Sequence, residues 1–332
     1  MGDANRSLLL GAMAMHLDVI VPTYNRQDLL GLTLESLFAA EVPSSLEVAV
    51  IVVDNNSKDQ TQLVVEAFRK RFGERIRYLF EPRQGRSHAL NAGIASATGD
   101  LVGMIDDDEE VDPGWYKTAF EAFSLKGVDF IGGPYEPRWG IPPPGWLPQE
   151  YRGVVGWVDG GKNEVPFDSS YPGILMGGNA VIRRSVLEKV GGYTTWLGRT
   201  DKGLLSCEDE DIYFRLLASG AKGLYLPNLI IYHHVPPERL TKSYFRRWCF
   251  WHAVSLGLLD RTRKLPCRYL LGIPRWRFRK TAEGLVSITF GLFMKSKDPA
   301  RSFADELDIW TFIGLIYGRY FHRSSLPSSV TE

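Results

Sequence analysis

Leu101-Val102-Gly103-Met104-Ile105 runs directly into Asp106-Asp107-Asp108-Glu109-Glu110, and this junction decides how the chain is read. The first five residues have the length and composition of a strand buried on both faces. Acids stacked behind such a strand repel one another strongly unless a cation compensates. Mg2+ or Mn2+ suits carboxylate oxygens and commonly takes one or two of them together with substrate phosphates. Asp106 and Asp108 alternate at the strand end and can aim at one side, one towards a ribose and one towards a metal. A solvated acidic turn is the competing reading, with Asp112-Pro113-Gly114 marking its exit.

Outward from this junction the first 135 residues alternate between two periods. Apolar runs at 17–21, 48–53, 76–80, 101–105 and 128–131 read as buried strands. Segments 29–38, 60–72, 87–96 and 115–125 read as amphipathic helices, the second capped by Ser57 and ended by Gly73. The expected fold is therefore α/β, a mostly parallel sheet with helices on both faces. Ligands of such sheets bind at the carboxyl ends of the strands. Strand one ends in Pro22-Thr23-Tyr24-Asn25-Arg26 and strand two in Asp54-Asn55-Asn56, so polar groups gather on the rim that holds Asp106–Asp108. Residues 132–167 show no periodicity and hold Trp139, Trp146 and Trp157. Helices around 185–190 and 209–219 and a strand at 229–233 follow.

The chain has 332 residues, 44% of them hydrophobic and 23% charged, enough to bury a large core without disulfides. Lys and Arg number 39, as do Asp and Glu, and that balance excludes a general nucleic-acid binder. Cys207, Cys249 and Cys267 fit neither a zinc pattern nor a disulfide framework and point to a reducing compartment. The apolar stretch 8–15 is too weak for a signal peptide, and Met13 or Met15 could equally start the chain. No run reaches the ~18 apolar residues of a membrane span. From about residue 236 the composition shifts, with twelve Lys or Arg against one acid, Asp260, over 239–280. Aromatics are interleaved among them, and no nucleic-acid module is recognised. The pattern fits helices that dock on an anionic membrane surface, with 284–294 lying in the interface. The expected organisation is a tail (1–16), a catalytic domain (17–235) and a basic helical module (236–332).

Two further clusters carry chemistry. Glu208-Asp209-Glu210-Asp211 opens a helix; capping explains acids there, but four exceed what capping needs. One of them can serve as general base for an acceptor hydroxyl. His233-His234 ends a strand, where a neutral imidazole can complete a metal shell begun by carboxylates. Residues 156–163 approach a P-loop spacing but hold Asn163 where Ser or Thr belongs, and no GxGxxG follows strand one.

In order and spacing, residues 17–234 resemble family 2 glycosyltransferases of the GT-A fold. The matching pieces begin with Val19-Ile20-Val21-Pro22-Thr23-Tyr24-Asn25-Arg26 and Val52-Val53-Asp54-Asn55-Asn56-Ser57-Lys58-Asp59-Gln60-Thr61. Gly85 with Ala89-Leu90-Asn91-Ala92-Gly93, Gly99-Asp100, and Asp106-Asp107-Asp108 with Pro113 come next. Gly177-Gly178-Asn179 with Arg183-Arg184, Glu208-Asp209-Glu210-Asp211 with Arg215, and Pro227 ahead of His233 complete the series. The resemblance implies that Pro22, Thr23, Tyr24, Arg26, Asp54, Asn55, Asp106 and Asp107 bind the donor nucleotide, with Asp54 on the base and Asp106 near the ribose. Arg86, in the third strand–helix connection, would assist there. Asp108 would hold Mn2+ or Mg2+ on the diphosphate, and His233 matches a position that in some relatives joins it. Asp209, paired with Glu208, would be the general base; Asp211 is close enough in sequence that the assignment rests on the motif. Gly177, Gly178 and Asn179 would lie near the donor sugar or acceptor. Asn55-Asn56 departs from the more acidic pair common at that place, leaving one carboxylate for the base.

The resemblance further implies an inverting, metal-dependent transfer from a nucleotide-diphosphate sugar, UDP-linked by preference, to a glycan or polyprenyl-diphosphate-linked acceptor. The basic tail is similar to those of bacterial exopolysaccharide and lipid-linked glycan transferases, implying a cytoplasmic protein peripheral at the inner face of the cell membrane. Two rivals are a non-catalytic sugar-nucleotide or glycan binder of the same fold and a sugar-phosphate nucleotidyltransferase. The second lacks its glycine-rich loop here, since Thr23-Tyr24-Asn25-Arg26-Gln27 stands in that place.

Overall fold

The computed structural model describes residues 15–199, 203–262, 267–291 and 298–322. These form two compact units: residues 15–136, 158–195 and 208–234 make the first; 137–157, 196–199, 203–207 and the described residues from 235 onward make the second.

The first unit is built on an eight-stranded sheet. Its strands are β1 (Met15–Thr23), β2 (Leu46–Asp54), β3 (Ile76–Phe80), β4 (Leu101–Met104), β6 (Phe130–Gly132), β8 (Val165–Phe167), β9 (Ala180–Arg183) and β10 (Gly223–Tyr225), in the order β3-β2-β1-β4-β9-β6-β10-β8. Neighbours β3, β2, β1 and β4 are parallel, β9 runs against both β4 and β6, and β10 is parallel to β6. The short β5 (Glu109–Val111) pairs antiparallel with β11 (Ile231–Val235), which sets His233 opposite Glu109.

Side-chain alternation assigns each helix to a face. In β1, Leu17, Val19 and Val21 point into one apolar cluster with α1 (Gln27–Ala39), α2 (Thr61–Phe72) and α4 (Trp115–Leu125). Ile20, Ile51, Val53, Val102 and Met104 point into the other, with α3 (Arg86–Ser96), α5 (Arg184–Val190) and α6 (Glu208–Ala218). The doubly covered, mostly parallel sheet is the one the periodicity predicts. Its consequence for chemistry is that α3 and α6 share one face, so their N-termini can meet at the rim.

Several local expectations change. The strand read at 128–131 begins two residues later, and that read at 229–233 is β11, also shifted by two. Ser57 does not cap α2; its Oγ accepts from Asn25 N (3.0 Å), and Asp59 Oδ1 instead accepts from Thr61 N (3.1 Å). Gly73 does end that helix, at φ 61°. Residues 132–167 are not featureless: they hold β7 (Tyr135–Trp139), a 3-10 segment (Gln149–Val155) and β8. The absence of a period reflects elements too short to display one.

The second unit is helical, with α7 (Lys242–Thr262), α8 (Arg275–Gly291) and α9 (Pro299–Ile316), the last closing in a π turn (Tyr317–Phe321). Asp298 caps α9 by accepting from Ala300 N (3.0 Å), and Pro299 follows at the first helical position. Val154, Val155, Leu240, Phe245, Phe303 and Leu307 form its core, against which Trp139 and Trp146 pack. Trp146 meets Phe245 and Phe303 edge-on at 5.5 and 5.1 Å and so helps to pack this core. The expected tail before residue 15 and the end of the 284–294 segment lie outside the described residues. None of the described helices is long and apolar enough to cross a membrane.

Candidate active site

The acids after β4 are folded into a tight turn. Asp106 N–H donates to Glu109 Oε2 (2.8 Å), and Glu109 N–H donates back to Asp106 O (3.2 Å). His234 N–H donates to Asp108 O (2.8 Å), which fixes β11 beside the turn and brings His233 Nε2 to 3.7 Å from Asp108 Oδ2. Asp107, Asp108, Glu109 and His233 are all buried. From the end of β1, Arg26 Nη1 donates to Asp107 Oδ1 (2.8 Å) and Asp108 Oδ2 (2.9 Å), while Tyr24 N–H approaches Asp107 Oδ2 at 3.4 Å. Thr23 is buried at the same strand end.

Arg86, the first residue of α3, joins this turn to α6. Its guanidinium donates to Asp106 Oδ1 (3.0 Å from Nε) and, through Nη1, to Glu208 Oε1 and Asp209 Oδ1 (3.2 Å each). Sequence alone gives no sign that one arginine ties both acidic motifs together. Burial opposes its charge, but Asp106, Asp209 and Glu208 outweigh that and hold it firmly protonated. Asp211, by contrast, is committed elsewhere: its Oδ2 accepts from Thr194 Oγ1 (2.6 Å) and Arg215 Nε (3.0 Å). Of the two aspartates that sequence left as rivals, Asp209 is the one in the acidic centre.

The centre carries excess negative charge. Arg26 and Arg86 pair with five carboxylates, those of Asp106, Asp107, Asp108, Glu208 and Asp209, and Glu109 adds a sixth acid. Burial pushes Asp107 up to about 6, with Arg26 pulling it down and Asp108 adding to the rise. Burial, then the charges of Asp106 and Asp108, push Glu109 well above the usual carboxylate range. A divalent cation would relieve this crowding. Two ligands at about 2.1 Å from a common ion lie roughly 3–4.2 Å apart. The 3.7 Å between Asp108 Oδ2 and His233 Nε2 falls in that interval.

Other expected residues have a definite place. Asp54 accepts from Ser57 N–H and Tyr78 O–H (2.8 Å each). Asn55 is buried, donates to Glu81 O and Arg83 O, and accepts from Gly85 N–H (2.7 Å). It thereby fixes the loop from which Arg86 projects, an indirect task. Pro22, in β1, pairs with Val53 in register and stands one residue short of the rim.

Gly177 and Gly178 do face the centre, because a methyl group on either would collide with the carboxylate of Asp209 or Glu109. Asn179 turns away from it. Its amide accepts from Trp115 Nε1–H (2.9 Å) and donates to Pro134 O (3.2 Å) and Leu229 O (2.7 Å) in full burial. Replacing Asn179 by Ala strands the Trp115 indole N–H and Leu229 O at about 1–3 kcal/mol each, while Pro134 O keeps the Ile231 N–H (3.3 Å), so melting falls by ~5 °C. Donor affinity of the folded fraction stays unchanged in that variant. Thermal denaturation beside a nucleotide titration checks this, and lost binding at unchanged stability would instead place Asn179 on the substrate.

The doubly covered sheet with acids gathered at its strand ends has the GT-A fold. Across 96% of this chain and 94% of the other, the structure superposes on the mannosyltransferase PcManGT from Pyrobaculum calidifontis in complex with GDP-Man and Mn2+ (TM-score 0.60, 18% identity). The family model described as "Glycosyl transferase family 2" matches residues 18–191, more than half the chain, and the chain belongs to that family. It is a glycosyltransferase. The succinoglycan biosynthesis protein ExoM of Rhizobium meliloti is 27% identical over 248 residues, 74% of this chain and 75% of that protein. A glucosyl-dolichyl phosphate glucuronosyltransferase of Haloferax volcanii is 26% identical over 253 residues, 74% of this chain and 78% of the relative.

Proposed function

We propose that this glycosyltransferase is an inverting, divalent-metal-dependent enzyme that moves a sugar from a UDP-linked donor to a hydroxyl of a polyprenyl-linked glycan. The observation that carries the reading is the convergence of Asp106, Glu208 and Asp209 on Arg86, with Asp108 and His233 alongside. Asp209 is the general base, taking the acceptor proton as the hydroxyl attacks the anomeric carbon. Glu208 holds Arg86 from the same helix turn. Asp108 and His233 would hold Mn2+ or Mg2+, which would supply Lewis-acid neutralisation of the departing diphosphate. Asp106 and Asp54 accept hydrogen bonds from ribose and base, with Thr23, Tyr24 and Arg26 bordering the nucleotide. Release of UDP from UDP-sugars, with and without Mn2+, in the presence of polyprenyl-diphosphate-linked glycans tests it. Metal-dependent release supports the reading; release that chelation leaves untouched counts against it.

The polyprenyl-linked acceptor draws support from the name of the Haloferax relative and from the second unit's surface. Trp310, Ile313, Tyr317, Tyr320 and Phe321 are exposed at i, i+3, i+7, i+10 and i+11, one stripe along α9 and its closing turn. Residues 309–322 contain no acid, and the Arg319 guanidinium lies 5.9 Å from the Tyr320 ring centroid. Such a stripe supports a reading in which the aromatics enter the headgroup region and cations meet anionic lipid, with the enzyme peripheral at the inner face of the cell membrane. The protein therefore sediments with phosphatidylglycerol vesicles at low salt. Replacing Ile313 and Phe321 by Ser weakens that binding by about tenfold or more, since a buried side chain of this size is worth about 1.5–3 kcal/mol. Unchanged sedimentation of the double variant would remove the stripe from the account.

A further inference from the structure

Glu109 has no assigned part in the reaction, yet it is almost fully buried beside Asp106 and Asp108. A charged carboxylate there would be repelled by its acidic neighbours, so electrostatics alone does not explain the choice of residue. Its geometry explains why it is there. Glu109 Oε2 accepts the Asp106 N–H at 2.8 Å, closing the turn that aims Asp106 and Asp108. The carboxylate is seated on bare backbone: a methyl group on Gly178 would stand 2.5 Å from Glu109 Oε1 and 2.7 Å from Oε2. The adjacent Gly177 is equally close to Asp209, where a methyl group would lie 2.1 Å from Oδ1.

We propose that Glu109 is a positioning residue for the metal-holding turn, and that Gly178 lacks a side chain in order to seat the Glu109 carboxylate. The proposal rests on the reading of Asp108 as a metal ligand. It assigns Gly178 an effect that passes through Glu109 rather than through a contact with sugar or acceptor. An alanine at 178 pushes the carboxylate off the Asp106 N–H, so Gly178→Ala and Glu109→Ala damage the same thing. Glu109→Gln keeps an acceptor oxygen of the same reach and preserves the turn.

The test is Mn2+ binding by the full chain, followed by loss of the free-ion paramagnetic resonance signal, with UDP present and thermal denaturation run alongside. Wild type, Asp108→Ala, Glu109→Gln, Glu109→Ala, Gly178→Ala and the Glu109→Ala/Gly178→Ala double variant are compared. Groups that orient metal ligands cost about 10–100-fold in affinity when removed, and Glu109→Ala and Gly178→Ala each weaken Mn2+ binding within that range. Glu109→Gln stays within about twofold of wild type, and the double variant is no worse than Glu109→Ala alone, as expected of two changes acting on one interaction. Wild-type affinity in Glu109→Ala, or a Glu109→Gln loss as large as that of Ala, overturns the proposal. Full additivity in the double variant overturns the role of Gly178. Should Glu109→Ala not fold, Glu109→Gln beside Gly178→Ala still decides, since the proposal requires the first to bind and the second to be impaired. Mn2+ binding by Asp108→Ala equal to wild type fails the underlying metal reading, whatever the Glu109 variants do.

Discussion

Asp209→Asn lowers sugar transfer by about 10²–10⁴-fold, the usual contribution of a positioned general base. Donor binding survives the change. Asparagine keeps the size of the side chain and an oxygen for Arg86, which now donates to Asp209 Oδ1 at 3.2 Å. What is lost is the capacity to take a proton. Asp211 is the natural control: its carboxylate is held by Thr194 and by Arg215, whose guanidinium also binds the carbonyls of Val190, Gly191 and Gly192. Asp211→Asn therefore shows itself first in melting temperature. The readout is initial rate of nucleoside diphosphate release with acceptor present, paired with nucleotide-induced thermal stabilisation. If Asp209→Asn turns over normally and Asp211→Asn does not, the base has been misassigned.

Asp108→Ala has the second large effect and two signs. With Mn2+ and nucleotide present, wild type gains the stabilisation of a bound ligand, about 2.7 kcal/mol at a hundred times Kd, or several degrees of melting temperature. The variant loses that gain. Without metal it melts no lower than wild type, because Asp108 raises the cost of charging both Asp107 and Glu109. Arg26 retains Asp107 as a partner in the variant. A site residue whose removal spares the free protein yet abolishes ligand stabilisation is one kept for binding rather than folding. Retention of the metal-dependent shift would transfer the ligand role to another carboxylate.

The fold was legible because the signals that set it are local. Leu17, Val19 and Val21 on one face and Ile20 on the other arise from the period of a strand, and the acids at 106–108 follow from the point where the strand stops. The site was legible only where a motif is contiguous. Nothing local in Arg86 says that Asp106, Glu208 and Asp209 lie within its reach. That fact depends on α3 and α6 covering the same sheet face, a product of strand order. Asn179 stands in a motif with two glycines that touch the centre, yet its amide is spent on Trp115, Pro134 and Leu229. Glu109 reads in sequence as one more solvated acid, and only its burial against Gly178 distinguishes it. Short elements such as β7 and β8 carry too few residues to express a period, which is why 132–167 shows none.

The most direct measurement of the central claim is thermal stability of the wild-type chain against UDP, GDP, dTDP and CDP, each with and without Mn2+. The account predicts a rise of several degrees with one nucleotide, UDP by preference, that vanishes when the metal is withheld. Stabilisation by none of the four, or by one of them equally well without metal, would contradict it.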